Sequence, residues 1–192
     1  MANIKVVVGL GNPGAQYENT PHSVGFEAVD KFAAKLGLSW ELKRAHEALE
    51  AKGNGILLVK PQTFMNLSGN SVAPIVKYSN ATAADLIVVQ DDIDLPIGKL
   101  RVRKGGSCGG HNGVRNIIER LASQDFVRVK IGVGRDKSDR SGVIAHVLGK
   151  FSPENRILMS KVTDEVPSLL DLLLKDGPDK AMNKYNGWQL PQ

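Results

Sequence analysis

A single cysteine, Cys108, is all the thiol that these 192 residues contain. An internal disulfide is therefore excluded, and the composition suits a reducing compartment, with the cytoplasm as the expected location. No apolar run approaches the length of a membrane span. Met1-Ala2-Asn3-Ile4-Lys5 leads straight into a strand pattern without the apolar stretch of a secretion signal, so a soluble, unexported protein is expected. Internal repeats and low-complexity tracts are also missing, which leaves one domain over residues 1–192 as the expectation, a length sufficient for one well-buried core. No convincing His, Cys and carboxylate grouping stands out, and neither a metal nor any other cofactor is expected. The nearest candidate, Asp91-Asp92-Ile93-Asp94, can bind Mg²⁺ or simply end a strand in water. The G-x-S-x-G elbow of serine esterases is absent as well.

Charge, by contrast, is present and clustered. Lys and Arg number 25 against 20 Asp and Glu, a net +5, which points to a polyanionic partner only where the excess gathers on one surface. Lys99, Arg101 and Arg103 alternate with Leu100 and Val102, so on a strand the cations share one face while the apolar pair turns to the core. Arg128 and Lys130 repeat the arrangement among Val127, Val129 and Ile131 and offer a second cationic row. A solvated sheet face is the plain alternative to a nucleic-acid surface, and charge alone does not decide between them.

The stretch that organises the chain is Gly9-Leu10-Gly11-Asn12-Pro13-Gly14, which leaves the apolar run Ile4 to Val8 and is followed by Tyr17, Thr20, Pro21 and His22. Apolar, mostly β-branched residues broken by glycines read as a buried strand ending in a tight loop. In open α/β sheets the chemistry lies at the carboxyl ends of strands, which is where Asn12 and His22 are delivered. The spacing also satisfies G-x-G-x-x-G. The dinucleotide fingerprint, however, needs a helix opening directly on the last glycine and an acidic residue about 20 positions further on, at the end of a second strand. Here the first helix cap is Ser23, with Phe26, Val29 and Phe32 behind it, and Glu27 and Asp30 fall inside the helical pattern. A polar catalytic loop is favoured over a nucleotide site.

The first helix is expected near 23–36, ended by Gly37. Segments 45–52 and 55–60 read as a hairpin turning at Gly53-Asn54. Asn66 precedes an amphipathic helix over 70–78, where an Asn is most often a cap, and from the residues alone a cap has the edge. The apolar run 86–90 suits a central strand covered on both faces and brings Asp91 to a carboxyl end, as for His22. If those two strands are parallel neighbours, a carboxylate meets an imidazole, fixes its tautomer and favours its charged form. The basic strand to Arg103 should run antiparallel to that strand after the short Leu95-Pro96-Ile97-Gly98 connection.

The loop Gly105-Gly106-Ser107-Cys108-Gly109-Gly110-His111-Asn112-Gly113 can carry Asn112 back to the site, and its glycines let backbone N–H groups approach an anion or carbonyl. A helix over 114–121 and a strand over 127–133 follow, and the charged run from Arg135 to Gly142 reads as a rim loop. Ser152-Pro153-Glu154 opens a long helix to Lys175 with Pro167 inside it. A last helix over 179–185 leaves Asn183, Lys184 and Tyr185 open between site and solvent. His46 and His146 lack polar company and are expected to be structural or exposed.

Four ordered motifs then carry a resemblance: Gly9-Leu10-Gly11-Asn12-Pro13-Gly14 with Tyr17 and Thr20-x-His22, Phe64-Met65-Asn66-Leu67-Ser68-Gly69, Asp91-Asp92-Ile93-Asp94-Leu95-Pro96, and Gly109-Gly110-His111-Asn112-Gly113. From first strand to last helix the chain resembles the bacterial-type peptidyl-tRNA hydrolases. The resemblance implies a monomeric α/β fold, three αβα layers around a twisted, mixed, partly parallel sheet, acting on the ester between peptide and tRNA and so recycling tRNA from aborted translation. By the same resemblance His22 corresponds to the catalytic base, Asp91 to its supporting carboxylate, and Asn12, Asn66 and Asn112 to substrate-positioning asparagines. Met65 matches a residue lining the cleft, and Tyr17 and His111, from the same motifs, are expected at the substrate. Arg103, Lys104 and Lys130 are the expected tRNA contacts. Pro21 stands where many members have arginine, Ser23 where many have asparagine, and Arg103 where some have lysine, so the pocket wall and one hydrogen-bond geometry differ.

Ester hydrolysis near neutral pH needs a base to deprotonate water and donors for an oxyanion, and histidine plus amides supply both without metal. The resemblance places water, not a side chain, as the nucleophile. A catalytically silent RNA-binding protein using the basic strands is the alternative from another class, and a dinucleotide-dependent oxidoreductase a distant third.

Overall fold

The computed structural model describes residues 4–135 and 142–191. Among these residues seven strands form one mixed sheet: β1 (Lys5–Gly9), β2 (Glu41–Lys43), β3 (Ala48–Gly53), β4 (Ile56–Pro61), β5 (Leu86–Asp92), β6 (Leu100–Lys104) and β7 (Val127–Gly132), in the order β2-β3-β4-β1-β5-β7-β6. The four central strands β4, β1, β5 and β7 are parallel, while β2 with β3, β3 with β4 and β6 with β7 pair antiparallel. Six helices among the described residues accompany them: α1 (Val24–Leu36), α2 (Ser68–Tyr78), α3 (Asn112–Leu121), α4 (Gly142–Leu148), α5 (Pro153–Asp176) and α6 (Pro178–Tyr185). The fold is thus the α/β architecture around a mixed, partly parallel sheet that the sequence led us to expect.

Val6, Val7 and Val8 are all fully buried, because a parallel central strand is covered on both faces and has no side to offer water. Alternation divides their contacts. Val7, with Ile87 and Val89 of β5, packs in the cluster that holds Phe32 of α1 and Leu169 of α5. Val6 and Val8 turn the other way with Val88, towards Ile75 of α2 and Ile117 of α3. Two apolar layers flank the sheet, and the strand ends between them are free for polar groups.

How α1 begins decides where the site is. A Cβ on Gly9 would lie 2.3 Å from the Gly25 carbonyl oxygen, so the end of β1 and the first turn of α1 touch backbone to backbone. The chain makes short 3₁₀ turns over Ala15–Tyr17 and Pro21–Ser23 and enters α1 from the second of them. Only a single 3₁₀ turn follows Gly14, and the α-helix that a dinucleotide fingerprint needs there starts ten residues later, at Val24. Ser23 occupies the position before α1 as expected but makes no side-chain cap bond, and its buried hydroxyl has no partner among the described residues. Gly37 (φ 65°) terminates α1, with the Leu38 N–H returning to the Ala33 carbonyl at 2.9 Å.

Several local expectations need correction. The hairpin turns at Asn54 and Gly55, whose φ values of 54° and 74° are those of a type I′ turn, and Gly53 remains in the strand. β3 starts at Ala48 because Arg44–His46 forms a 3₁₀ turn, and the short edge strand β2 has too little alternation to stand out. β6 does run opposite to β5, but it is not its neighbour: β7 lies between them. A short connection implied pairing, but the place beside β5 is taken by β7, which runs parallel to it with Ile87 opposite Val127 and Asp92 opposite Gly132. Ser152 caps α5 by accepting from the Asn155 N–H at 3.2 Å, and Pro167 is buried within the helix. No helix among the described residues is long and apolar enough to cross a membrane.

Candidate active site

β1 and β5 are parallel neighbours with Gly9 opposite Val89, so the loop after one and the last residues of the other meet at the same edge. There the turn at Pro21–Ser23 sets His22 against Asp91, with Nδ1 at 3.0 and 2.9 Å from the two carboxylate oxygens. Asp91 is 3% exposed and also lies 2.9 Å from Nε2 of His111. The His22 and His111 rings are 5.0 Å apart. His111 is at the same time the N-cap of α3, its Nδ1 accepting from the Val114 N–H at 3.3 Å. A backbone N–H can only donate, so the proton of neutral His111 must sit on Nε2, where it donates to Asp91. Burial by itself would push the Asp91 carboxyl up. His111 first and His22 second outweigh it through charge and hydrogen bonds and hold the group well below its ordinary 3.8.

His22 Nδ1, His111 Nε2 and an Asp91 oxygen lie within 4.8 Å of one another, a grouping that could hold a metal ion. The sequence singled out the Asp91, Asp92 and Asp94 cluster for that role, and the structure brings a different trio together. Its fit to a metal is poor. Coordination through His111 Nε2 would drive the ring proton onto Nδ1, against the Val114 N–H that now donates there.

The cleft around the pair is lined by Asn12, Tyr17, Met65, Asn66, His111 and Asn112, so every residue expected at the substrate comes to one place. Asn12 is 8% exposed, and its Oδ1 accepts from the Met65 N–H at 2.8 Å, which leaves the Asn12 amide NH₂ as its free edge. Met65 packs so closely on α3 that a Cβ at Gly113 would lie 2.6 Å from its sulfur. Asn66 is exposed on the 3₁₀ turn Met65–Leu67, and the position before α2 belongs to Leu67, so Asn66 is not the helix cap that its place in the sequence favoured. Asn112 is exposed at the first position of α3. Tyr17 is half-buried, with its carbonyl accepting from Thr20 Oγ1 at 2.7 Å.

The cationic residues separate. Arg103 is exposed on β6 and takes part in no ion pair among the described residues; Lys104 reaches Asp179 at 2.7 Å, and Lys130 reaches Asp92 at 3.0 Å while lining the cleft. Arg128 does not belong to a second exposed row. It is 2% exposed, lies over the Phe126 ring, and donates to the Gly106 and Ser107 carbonyls, pinning the glycine loop from beneath. Alternation placed it on the correct face, but that face is covered there by the loop. Gln90 and Arg101 line the cleft and were not anticipated as site residues, nor were Val143, Ile144 and Leu148 of α4. Gln90 closes an apolar run, and only the strand order reveals what stands beside it. Arg135 lines the cleft and faces Asp94 at 3.4 Å, while the rest of the expected rim loop, 136–141, lies outside the described residues. His46 pairs with Glu50 at 2.6 Å and His146 with the Gly134 carbonyl at 2.8 Å, both structural. Tyr185 faces the core and donates to Glu165 at 2.6 Å.

An α/β protein with a carboxylate-held histidine at the carboxyl edge of its parallel strands, ringed by asparagine amides, is the class that fold and site define. The family model for peptidyl-tRNA hydrolase matches residues 6–192. The chain is 42% identical over 187 residues to a peptidyl-tRNA hydrolase of Clostridium tetani, covering 96% of this chain and 98% of that one. It is 44% identical over 191 residues to one of Dehalococcoides mccartyi, covering 95% and 100%. The crystal structure of the Acinetobacter baumannii peptidyl-tRNA hydrolase superposes with a TM-score of 0.91 at 35% identity, over 98% of this chain and 97% of that one. The chain belongs to the peptidyl-tRNA hydrolase family.

Proposed function

We propose that the protein hydrolyses the ester joining a peptide to the terminal ribose of tRNA, as a metal-independent, monomeric, single-domain cytoplasmic enzyme that returns tRNA to translation. The observation that carries this is the His22–Asp91 pair, set in the asparagine-lined cleft of a chain from this family. With Nδ1 turned to Asp91, the remaining ring nitrogen of His22, Nε2, takes a proton from water as that water attacks the ester carbonyl. The imidazolium so formed is stabilised by Asp91 and then protonates the departing ribose oxygen, which balances the reaction. The free amide edge of Asn12 is suited to hold the carbonyl oxygen as it gains charge, while Asn66 and Asn112 position the peptide.

Release of free tRNA from N-acetyl-aminoacyl-tRNA tests the activity, and binding without release would favour the silent RNA-binding alternative. His22→Ala should keep the fold, since His22 sits on a turn outside the apolar layers, and should lower kcat by roughly 10² to 10⁴-fold, the usual worth of a general base. Near-normal turnover in the folded variant would remove His22 from the mechanism. Metal independence is supported by the commitment of His111 to Val114 and Asp91. EDTA treatment should therefore leave cleavage of a short N-blocked aminoacyl ester intact, and a loss restored by Zn²⁺ or Mg²⁺ would overturn it. The short ester is needed because Mg²⁺ also shapes tRNA.

A further inference from the structure

Gln90 is 2% exposed and lines the cleft, yet its Oε1 has no hydrogen-bond partner among the described residues. Its orientation is fixed from the other end: the Nε2 group points at the Asp91 carbonyl oxygen at 3.4 Å, where only a donor can face. A buried amide oxygen without a donor is costly, so the site is built for something that brings one. Strand register says what stands beside it. Gln90 on β5 is opposite Lys130 on β7, and Lys130 is opposite Arg101 on β6, so the three side chains form a row across one face of the sheet. All three line the cleft. Lys130 is tied to Asp92, whereas Arg101 takes part in no ion pair among the described residues. A neutral acceptor at the deep end and an unpaired guanidinium at the outer end match a nucleotide, whose sugar offers hydroxyl donors and whose phosphate is anionic.

We infer that Gln90 Oε1 accepts a hydrogen bond from the vicinal hydroxyl of the terminal ribose, with the nucleotide running outward along Lys130 to Arg101. Gln90 and His22 line the same cleft, and the hydroxyl sits on the carbon next to the one bearing the ester, so an acceptor there meets it when the ester carbonyl faces His22. Gln90 thereby positions the leaving group. This rests on the ester-hydrolase reading above and names the part of the substrate that the row holds.

The test pairs two N-acetyl-aminoacyl-tRNAs, one ending in adenosine and one in 2′-fluoro-2′-deoxyadenosine, which cannot donate at that position. Rates are corrected by the alkaline hydrolysis of each ester. Wild-type kcat/KM should fall about 10-fold on the fluoro substrate, the effect of losing one hydrogen bond to a buried acceptor. Gln90→Leu should lose a similar factor on the ribose substrate and be indifferent to the replacement. Gln90→Met serves if the leucine variant does not fold, and the wild-type comparison stands if neither does. Equal wild-type rates on the two substrates, or a variant that still discriminates between them, would overturn the inference while leaving the hydrolase intact. Failure of wild type to cleave the adenosine substrate would overturn both.

Discussion

Asp91 serves two imidazoles with one carboxylate, and that sharing gives it distinct effects on rate and on stability. Asp91→Asn keeps the shape but removes the negative charge that favours protonated His22. Turnover should fall, because the imidazolium formed at His22 loses the carboxylate that stabilises it. Unchanged turnover in the folded variant would show that Asp91 is not the partner of the base. For stability, the folded carboxyl is held below its ordinary 3.8, so the unfolded chain binds this proton more readily. The stability Asp91 contributes is therefore complete above that value and is lost as the pH falls towards the folded one. Urea titrations at pH 3 to 7 should show a shallower acid-side loss in Asp91→Asn than in wild type, roughly one unit being worth 1.4 kcal/mol. At this scale the sequence disclosed a great deal, because a polar residue at a strand's carboxyl end has few bland uses. It delivered His22, Asn12 and Asp91 to the carboxyl ends of strands, and the parallel pairing of β1 with β5 is what brings His22 to Asp91. It did not disclose that His111 caps a helix with one nitrogen and serves Asp91 with the other, since that depends on where α3 begins.

Arg128 shows the same limit one level up. Alternation along β7 correctly puts Arg128 and Lys130 on one face. Whether a face meets water depends on what crosses it, and a loop that is almost all glycine and serine gives no pattern from which its path can be read. Once the loop is in place, Arg128 becomes its anchor through the Gly106 and Ser107 carbonyls. Arg128→Met should strand those acceptors at a cost of about 2 kcal/mol, and thus lower Tm by about 4–8 °C for a chain of this size. Because the loop leads directly to Asn112, KM should rise as well. Arg128→Lys should recover little, a point charge being unable to serve two carbonyls as a fork does. Wild-type melting in Arg128→Met would mean that the loop is held from elsewhere. The order of β6 and β7 escaped the sequence for a related reason: both strands alternate cation with apolar residue, and nothing local says which one sits inside.

For the whole molecule, the net +5 is distributed so that pairing leaves few cations available near the cleft. Lys104 and Lys130 have carboxylate partners, while Arg103 and Arg101 have none among the described residues. Contacts between such groups and phosphates release counterions and bind without reading bases. Replacing Arg103 and Lys104 by Ala should raise KM for peptidyl-tRNA and flatten its salt dependence, each lost phosphate contact changing the logarithmic slope by about one unit. Turnover of a short ester should be spared. Because Asp179 already holds Lys104, the single Arg103→Ala variant should account for most of the change. Equal losses on both substrates would mean that these residues shape the catalytic pocket instead.

The position of β7 between β5 and β6 also sets a timetable for synthesis. β6 emerges from the ribosome more than twenty residues before the strand it pairs with. Its other edge is closed still later, by Asn186, whose amide bonds both the N–H and the carbonyl of Val102, and by the bridge between Lys99 and Gln189. Until Gly132 has left the exit tunnel, β5 presents an open edge of apolar residues, and β6 waits with both sides unsatisfied. The strands that deliver His22 and Asp91 are then already out, but the nucleotide-facing wall is not, so a chain cut short before β7 would carry its base without the surface that delivers a substrate to it.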